Sequence, residues 1–385
     1  MVRERPLTIV HAYSGNRFGG VEMQLLYFQW HRSLSPGLAP AFVLCFDGLL
    51  ARKLRHAEAR LHVVNEVSFR RPWTVWRARR AHARVFRDMR PDVVVCHEFW
   101  SYALVAPVAR RFRLPTVMWH HSPPSGYRQE RGVARHPPDL ALASSRYVAS
   151  TLTALAPPGR VRVSPYCVDP PEPGAASKRA AIRHALGVQP GEVVIFHAAR
   201  LSRYKGQREL LDAAGSLKDL PVRVWMAGGP QDGDEEMFLS DLQALCRTTG
   251  IAAMVSFLGH RDDVRDLYFA ADIFCQPNPT PEPFGMTFVE ALYAGLPVVG
   301  TDIGGAREIL WDQPTGERFG VLVPPRDRDA LVRALRPLVE RPDERSRFAA
   351  IGPARARALS DPAMAFARFE QLMREAIQLH ERGLP

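Results

Sequence analysis

The sequence predicts an α/β protein made of two doubly wound domains, and three observations carry that reading. Short β-rich runs alternate with amphipathic helical stretches from end to end. A Pro-, Gly- and Ala-rich segment without periodicity, PYCVDPPEPGAASK at 165–178, interrupts the series and reads as a linker. The alternation then restarts. Alternating strands and helices imply a parallel sheet covered on both faces. A chain of 385 residues suits two to three domains of ~150 residues. The predicted boundaries are 1–170, 171–360 and a C-terminal helix at 361–385 that packs back toward the first domain.

In order, LTIVHAY (7–13) has the apolar character of a buried strand, and Gly15 to Gly20 form a glycine-bearing loop. VEMQLLYFQWH (21–31) reads as a helix, and AFVLCF (41–46), LHVV (61–64) and DVVVCH (92–97) as strands. Residues 74–89 carry Val75, Ala78, His82, Val85 and Met89 near helical spacing. PTVMWH (115–120) and LALAS (140–144) are further strands. Beyond the linker, strands are expected at 192–199, 222–228, 254–259, 272–277 and 296–301. Helices fall between them around 206–217, 236–248, 262–270 and 287–294. GVLV (320–323) is a last strand, followed by helices near 327–339, 343–356 and 361–382. Open sheets of this kind bind ligands beyond the carboxyl ends of their strands, so a cleft between the domains is the expected site.

Composition narrows the function. Hydrophobic residues are 46% and charged residues 24%, which excludes a disordered chain. The longest apolar runs, such as VVIF at 193–196, fall far short of the ~18 residues needed to span a bilayer. The N-terminus lacks the apolar core of a secretory leader. Five scattered cysteines without a CxxC pair argue against a disulfide framework and a structural zinc site, and suit a reducing cytosol. The net charge is +11, but it is one-sided: residues 1–170 hold 25 Lys+Arg against 11 Asp+Glu, and the remainder 26 against 29. Such asymmetry suits an anionic partner for the first half; an arginine-rich composition with only four lysines is the plainer explanation. No aromatic-basic nucleic-acid module accompanies the charge.

Two segments carry chemistry. HAARLSRYKGQRELLDAA (197–214) places Arg200 and Lys205 in a strand-to-helix loop. A helix start exposes unpaired N–H groups and the positive end of a dipole, so two adjacent cations suit a diphosphate. In PEPFGMTFVEALYAGLPVVGTDIGG (281–305), Glu282 lies in a loop and Glu290 eight residues later on a helix. Amides at Gly285, Met286 and Thr287 lead into that helix, and two carboxylates beside such a start suit the vicinal hydroxyls of a sugar nucleotide. Thr287-x-x-Glu290 is also a capping-box pattern, on which Glu290 would merely close its own helix.

These residues resemble the signature of family 4 retaining glycosyltransferases, whose GT-B fold sets two Rossmann-like domains across a central cleft. The resemblance runs through Glu282-x7-Glu290, AGLPVVG (294–300), the following Gly-Gly pair, HAARLSRYKG, RVWMAGGP and the N-terminal GNRFGGVE. It implies that Arg200 and Lys205 hold the donor diphosphate, Glu290 the ribose, and Glu282 the transferred sugar. Gly285, Met286 and Thr287 would touch phosphate or sugar, and Gly19 and Gly20 would let the N-terminal loop approach the donor. The family's histidine near the reacting centre corresponds to His120 or His121 in WHHS, and the spacing favours His121. His97 reads as structural. The chain departs from the family pattern at Ala199 for the usual Gly, at Tyr166-Cys167-Val168-Asp169 for Asn-Gly-Val-Asp, and in a longer stretch at 311–323.

The implied function is retaining, metal-independent transfer of a hexose-type sugar from a UDP- or GDP-hexose to a sugar, glycolipid or small-molecule acceptor. No cofactor and no metal are expected, with Arg200, Lys205, Glu282 and His121 as the catalytic set. The alternatives are another GT-B sugar-nucleotide enzyme such as an epimerase, or a catalytically inactive sugar-nucleotide-binding protein. Residues 70–90 hold eight Arg and one acid with Trp73, Trp76 and Phe86 interleaved. That pattern suits the anionic inner face of a membrane, so a cytoplasmic, peripherally associated enzyme is expected. A phosphate-bearing acceptor is the competing explanation.

Overall fold

The computed structural model describes residues 5–15, 18–64, 66–126, 130, 133, 136–172 and 174–383. The chain forms two compact units, Met1–Cys167 with Pro362–Pro385, and Val168–Asp361.

The first unit is built on a parallel sheet of β1 (Leu7–Tyr13), β2 (Leu38–Leu44), β3 (Leu61–Val63), β4 (Val93–His97), β5 (Thr116–His120), β6 (Leu140–Ala143) and β7 (Val161–Val163). Their order is β3-β2-β1-β4-β5-β6-β7, so the direction of winding reverses between β1 and β4. Both faces of such a sheet are covered, and β4 and β5 are accordingly buried along their whole length. The helices are α1 (Gly20–Trp30), α2 (Leu49–His56), α3 (Pro72–Met89), α4 (Glu98–Arg111) and α5 (Arg146–Thr151). Helix α3 buries Ala78, His82, Val85, Phe86 and Met89, starts with Pro72 in its first turn and stops at Arg90 in the left-handed region (φ 45°). Helix α4 has no counterpart in the sequence pattern. It is buried on most sides, through Phe99, Tyr102, Leu104, Val105, Val108 and Ala109, and contains Pro107, so no amphipathic period marks it.

The C-terminal helix, Pro362–Gly383, belongs to this unit. Its Phe369 ring lies 4.5 Å from Phe28 of α1, 5.8 Å from His11 of β1 and 5.5 Å from Trp119 of β5. Polar contacts flank the apolar seam. Ser35 donates to Glu370 at 2.7 Å, Arg162 meets Glu375 at 2.6 Å, and His380 lies 3.1 Å from Asp139.

The second unit repeats the architecture with β8 (Val193–Ala198), β9 (Val222–Ala227), β10 (Val255–Gly259), β11 (Ile273–Gln276) and β12 (Val298–Thr301). An antiparallel hairpin of β13 (Trp311–Asp312) and β14 (Glu317–Arg318) occupies the longer stretch before β15 (Val321–Val323). The parallel order is β10-β9-β8-β11-β12-β15, and winding reverses between β8 and β11. Its helices are α6 (Arg179–Ala185), α7 (Gln207–Ala214), α8 (Gly233–Thr248), α9 (Val264–Ala270), α10 (Met286–Tyr293), α11 (Gly304–Leu310), α12 (Arg328–Glu340) and α13 (Pro342–Ser360). The expected helix at 206–217 ends early, at Ala214 with Gly215 as its cap. That at 236–248 begins early, because the Asp232 side chain accepts the Glu235 N–H at 3.0 Å and caps the first turn. The expected linker contains a 3-10 turn at Ala175–Lys178.

The five cysteines are buried and none forms a disulfide. Among the described residues, no helix is long and apolar enough to cross a membrane.

Truncating Phe369 to Ala removes an aromatic ring from the centre of the helix-to-sheet seam, where it is 2% exposed. The variant is expected to lose about 3–5 kcal/mol of first-unit stability, measured as a lower urea midpoint.

Candidate functional site

At the carboxyl edge of the second sheet, β8 runs out at Ala198 and the next loop carries Arg200 and Lys205. Two side chains tether that loop. Gln207 donates to the Arg200 carbonyl at 2.9 Å, and His197 Nε2 lies 2.7 Å from the Lys205 carbonyl. Burial pushes His197 down to about 4, so at neutral pH its Nε2–H donates. Gly206 closes the loop with φ 80°, and a Cβ there would fall 2.5 Å from the Pro277 carbonyl oxygen. Only glycine permits this approach between the loops that follow β8 and β11.

The two loops meet in an ion pair. Lys205 Nζ donates to both carboxylate oxygens of Glu282, at 2.9 and 2.6 Å. Asn278 and Gln276 also donate to Glu282 Oε2, at 2.8 and 3.3 Å. The carboxylate is therefore well paired, and one of the three Lys205 protons remains for a ligand. Arg200 lies 3.6 Å from Glu235 with 36% of its side chain exposed. The backbone of Glu282 is fixed as well: its carbonyl accepts the Gly305 N–H at 2.6 Å. A Cβ on Gly304 (φ 61°) would fall 2.5 Å from that same oxygen.

Helix α10 begins at Met286, with Gly285 as its cap in the left-handed region (φ 102°). Thr287 donates to Gln276 Oε1 at 2.9 Å. Glu290 is the fifth residue of the helix, and its carboxylate accepts the Tyr268 hydroxyl at 2.9 Å. Its side-chain partner thus lies on the neighbouring α9, and the third-residue geometry of a capping box is absent. Burial raises the Glu290 carboxyl above its ordinary range, opposed by the Tyr268 hydrogen bond and by Arg265.

The first unit gathers a second polar cluster at the carboxyl ends of β1, β4 and β5. Gly19 caps α1, and its N–H donates to Glu22 at 2.8 Å, while Glu22 accepts the Tyr13 hydroxyl at 2.5 Å. Gly20 is the first residue of α1; Asn16 and Arg17 of the same loop lie outside the described residues. His11, His97, His121 and Tyr166 form a hydrogen-bonded chain. His11 Nδ1 lies 3.0 Å from His97 Nε2, His97 Nδ1 lies 2.9 Å from His121 Nε2, and His121 Nδ1 bonds the Tyr166 hydroxyl. Burial pushes His97 down to about 3 and holds His11 and His121 well below the ordinary imidazole range. A neutral imidazole has one donor and one acceptor nitrogen, so the chain must run head to tail.

His121 thus has both ring nitrogens engaged. His120 is fully buried, and neither of its ring nitrogens makes a well-formed hydrogen bond among the described residues. Its Nδ1 lies 3.2 Å from Glu98 Oε2. Glu98 accepts the His121 N–H at 3.1 Å and the Ser122 hydroxyl at 3.2 Å through Oε1.

The structure therefore brings Arg200, Lys205, Glu282, Gly285, Met286, Thr287 and Glu290 to one edge of the second sheet. Gly19, Gly20, His120 and His121 gather at the equivalent edge of the first. Sequence reasoning did not single out Asn278, Gln276 or Glu98, and it read His97 as structural. A signal was present in polar residues that close apolar strands, IFC before Gln276 and VVVC before His97-Glu98. Among the described residues, no group of three or more His, Cys, Asp or Glu is placed to hold a metal ion.

A family model described as Glycosyl transferases group 1 matches residues 178–355, and one described as Glycosyltransferase Family 4 matches residues 39–172. Together they take in most of the chain. The chain belongs to glycosyltransferase family 4. Among family relatives, a D-inositol 3-phosphate glycosyltransferase of Corynebacterium urealyticum is 32% identical over 219 residues, covering 55% of this chain and 48% of the relative. An uncharacterized glycosyltransferase of Methanocaldococcus jannaschii is 28% identical over 260 residues, covering 62% and 64%. This chain spans about half the length of the D-inositol 3-phosphate glycosyltransferases it matches. Among solved structures, Anabaena HepE in complex with UDP and glucose aligns with a TM-score of 0.81 at 22% identity, covering 95% of this chain and 98% of that one. A glycosyltransferase from Rickettsia africae aligns with a TM-score of 0.82 at 18% identity, covering 97% and 100%. These likenesses establish the GT-B fold.

Replacing Lys205 by Met should strand the Glu282 carboxylate, which is only 10% exposed. The expected loss is on the order of 1–3 kcal/mol, below that of a fully buried pair because Lys205 keeps partial access to water. Urea denaturation measures it, and the double variant Lys205→Met/Glu282→Gln should recover part of the loss.

Proposed function

We propose that this protein is a retaining, metal-independent hexosyltransferase. It moves a hexose-type sugar from a nucleotide-diphosphate sugar to a hydroxyl of a sugar, glycolipid or small-molecule acceptor. The observation that carries the reading is the convergence of Arg200, the Lys205–Glu282 pair, the start of α10 and Glu290 on the edge formed by β8 and β11. Departure of a nucleoside diphosphate develops negative charge. Arg200, the remaining Lys205 proton and the amides of Gly285, Met286 and Thr287 stabilise that charge. They are the reason for proposing that no metal and no cofactor are required. Glu290 clamps the ribose hydroxyls.

Glu282 holds Lys205 and meets the transferred sugar; with its oxygens committed to Lys205, Asn278 and Gln276, it is not assigned as a covalent nucleophile. The acceptor oxygen bonds the anomeric carbon on the face from which the phosphate oxygen departs. The leaving phosphate takes the acceptor proton, so no enzymic base is needed. In the first unit, His121 is proposed to orient the sugar, with His120 as the alternative; they are 4% and 0% exposed. His121 holds its neighbours in place through His97 and Tyr166.

The complex of Anabaena HepE with UDP and glucose supports a UDP-hexose over a GDP-hexose donor. The names of the curated relatives support a hydroxyl-bearing small-molecule acceptor.

Proton NMR of the first-formed product tests the reaction class. The donor's anomeric configuration is expected to be kept, and an inverted linkage refutes it. Glu290→Gln should weaken nucleoside diphosphate binding about tenfold or more by calorimetry, one charge-assisted hydrogen bond being worth ~1.5–3 kcal/mol. Unaltered affinity would remove Glu290 from the ribose site.

We also propose reversible association with the anionic inner face of a membrane, for a cytoplasmic enzyme. Trp73 and Trp76 of α3 are 62% and 58% exposed. Arg77, Arg80, Arg84 and Arg87 continue their face at helical spacing and are exposed as well. The Arg80 guanidinium stacks 4.6 Å over the Trp76 ring, whereas Arg79 is turned inward to the carbonyls of Ala103 and Leu104. Indoles with arginines suit the head-group region, each charge adding ~1 kcal/mol near an anionic leaflet. Co-sedimentation with anionic vesicles at low salt, lost on Trp73→Ser/Trp76→Ser and with neutral vesicles, is the expected result. Recovery in the supernatant with both vesicle types would dismiss the membrane.

A further inference from the structure

Glu282 and Glu290 stand on one loop and the helix that follows it, yet their surroundings differ. Glu282 receives hydrogen bonds from Lys205, Asn278 and Gln276, and both of its oxygens are used. Glu290 is half-buried, and among the described residues its carboxylate has one hydrogen-bond donor, the Tyr268 hydroxyl, 2.9 Å from Oε2. The charges that act on it are Arg265 and Asp169, which pair with each other at 3.2 Å. Oε1 is therefore the oxygen left for a ligand.

Tyr268 is built to hold its hydroxyl still. It lies on α9, is 1% exposed, and packs its ring against Phe196 of β8 and Phe274 of β11, with centroids 5.0 and 5.4 Å away. Phe274 in turn lies 5.9 Å from Phe288 of α10, so these rings join α9, the two central strands and α10 in one packed block. Burial and the neighbouring Glu290 keep the phenol protonated far above neutrality, so it donates to the carboxylate. The last torsion of a glutamate is broad and two-fold, and no rotamer preference sets the plane of the carboxylate. At Glu290 the hydrogen bond from Tyr268 sets it.

We infer that Tyr268 is a positioning residue: by occupying Oε2 it fixes the plane of the Glu290 carboxylate and commits Oε1 to a ribose hydroxyl of the donor. The inference rests on the proposed ribose role of Glu290 and deepens it, because selection of a ribonucleotide over its deoxy counterparts then depends on a residue that does not touch the nucleotide. A carboxylate already held in one orientation loses little further freedom when the nucleotide arrives, and affinity gained in this way is lost when the tether is cut. In Tyr268→Phe the carboxylate is free to turn and loses the donor that favours its ionised form. The Arg200, Lys205 and α10 amide groups proposed for the diphosphate are not bonded to Tyr268, so the damage should fall on the ribose contact. A tyrosine that merely satisfies a buried glutamate would behave differently: its loss would lower stability and weaken all nucleotides alike.

Calorimetry with UDP, 2′-deoxy-UDP and 3′-deoxy-UDP separates the two roles, and GDP with its deoxy counterparts serves if UDP does not bind. In the wild type, removal of at least one ribose hydroxyl should weaken binding about tenfold or more, the size of one charge-assisted hydrogen bond. In Tyr268→Phe, UDP itself should bind about fivefold more weakly, and the deoxy penalty should shrink to about threefold or less. Glu290→Asp provides a second variant that leaves the aromatic block intact. A carboxylate shorter by one methylene cannot keep Tyr268 and reach the ribose together, so its deoxy penalty should shrink as well. A wild-type penalty that persists in Tyr268→Phe, or in Glu290→Asp should Tyr268→Phe not fold, overturns this inference and leaves the ribose role of Glu290 standing. Absence of any deoxy penalty in the wild type, or of any nucleotide binding, overturns the ribose reading itself and this inference with it.

Discussion

The bidentate contact between Lys205 and Glu282 is the constraint on which the second unit's site depends. It joins the loops that follow β8 and β11, the two strands where winding reverses. Parallel strands end on the same edge, and the loops at a reversal diverge to opposite faces and leave a crevice. The ion pair bridges that divergence. Gly206 and Gly304 allow the backbones to come close enough for it, and Asn278 and Gln276 supply the hydrogen bonds that keep a nearly buried carboxylate solvated by protein. Arg200, the start of α10 and Glu290 then take their places around a fixed pair.

The first unit solves a similar problem without a strong ion pair. At its own reversal, between β1 and β4, the polar groups are three histidines and a tyrosine in series, with a second histidine–carboxyl contact beside them. Burial keeps these imidazoles neutral, so each must donate once and accept once. A neutral chain of this kind is sensitive to proton position rather than to net charge. The aromatic seam beneath it is Phe28, Trp119 and Phe369, and Phe369 comes from the far end of the chain. The C-terminal helix therefore supports the floor of the histidine chain through its stacking on His11.

The alternation of strands and helices, the two-domain α/β class and the positions of Arg200, Lys205, Glu282 and Glu290 were legible in the sequence. Each depends on local properties: short apolar runs, glycines at loop ends, and charges at fixed spacing from a helix start. Helix α4 was not legible, because a helix buried on most sides shows no hydrophobic stripe. The third-residue carboxylate of a capping box and a ligand-binding carboxylate look alike in sequence, and only the αL cap at Gly285, which makes Glu290 the fifth helical residue, removes the capping box here.

By itself, then, the sequence determined the class of fold and which charged residues stand at strand ends, since both follow from chemistry within a dozen neighbouring residues. The tertiary structure alone decided their partners. It committed both nitrogens of His121 to His97 and Tyr166, left His120 beside Glu98, and turned Lys205 onto Glu282. Those pairings join residues 22 to 77 positions apart. No local pattern encodes them, because hydrogen-bond partners are chosen by the packing of whole strands against one another.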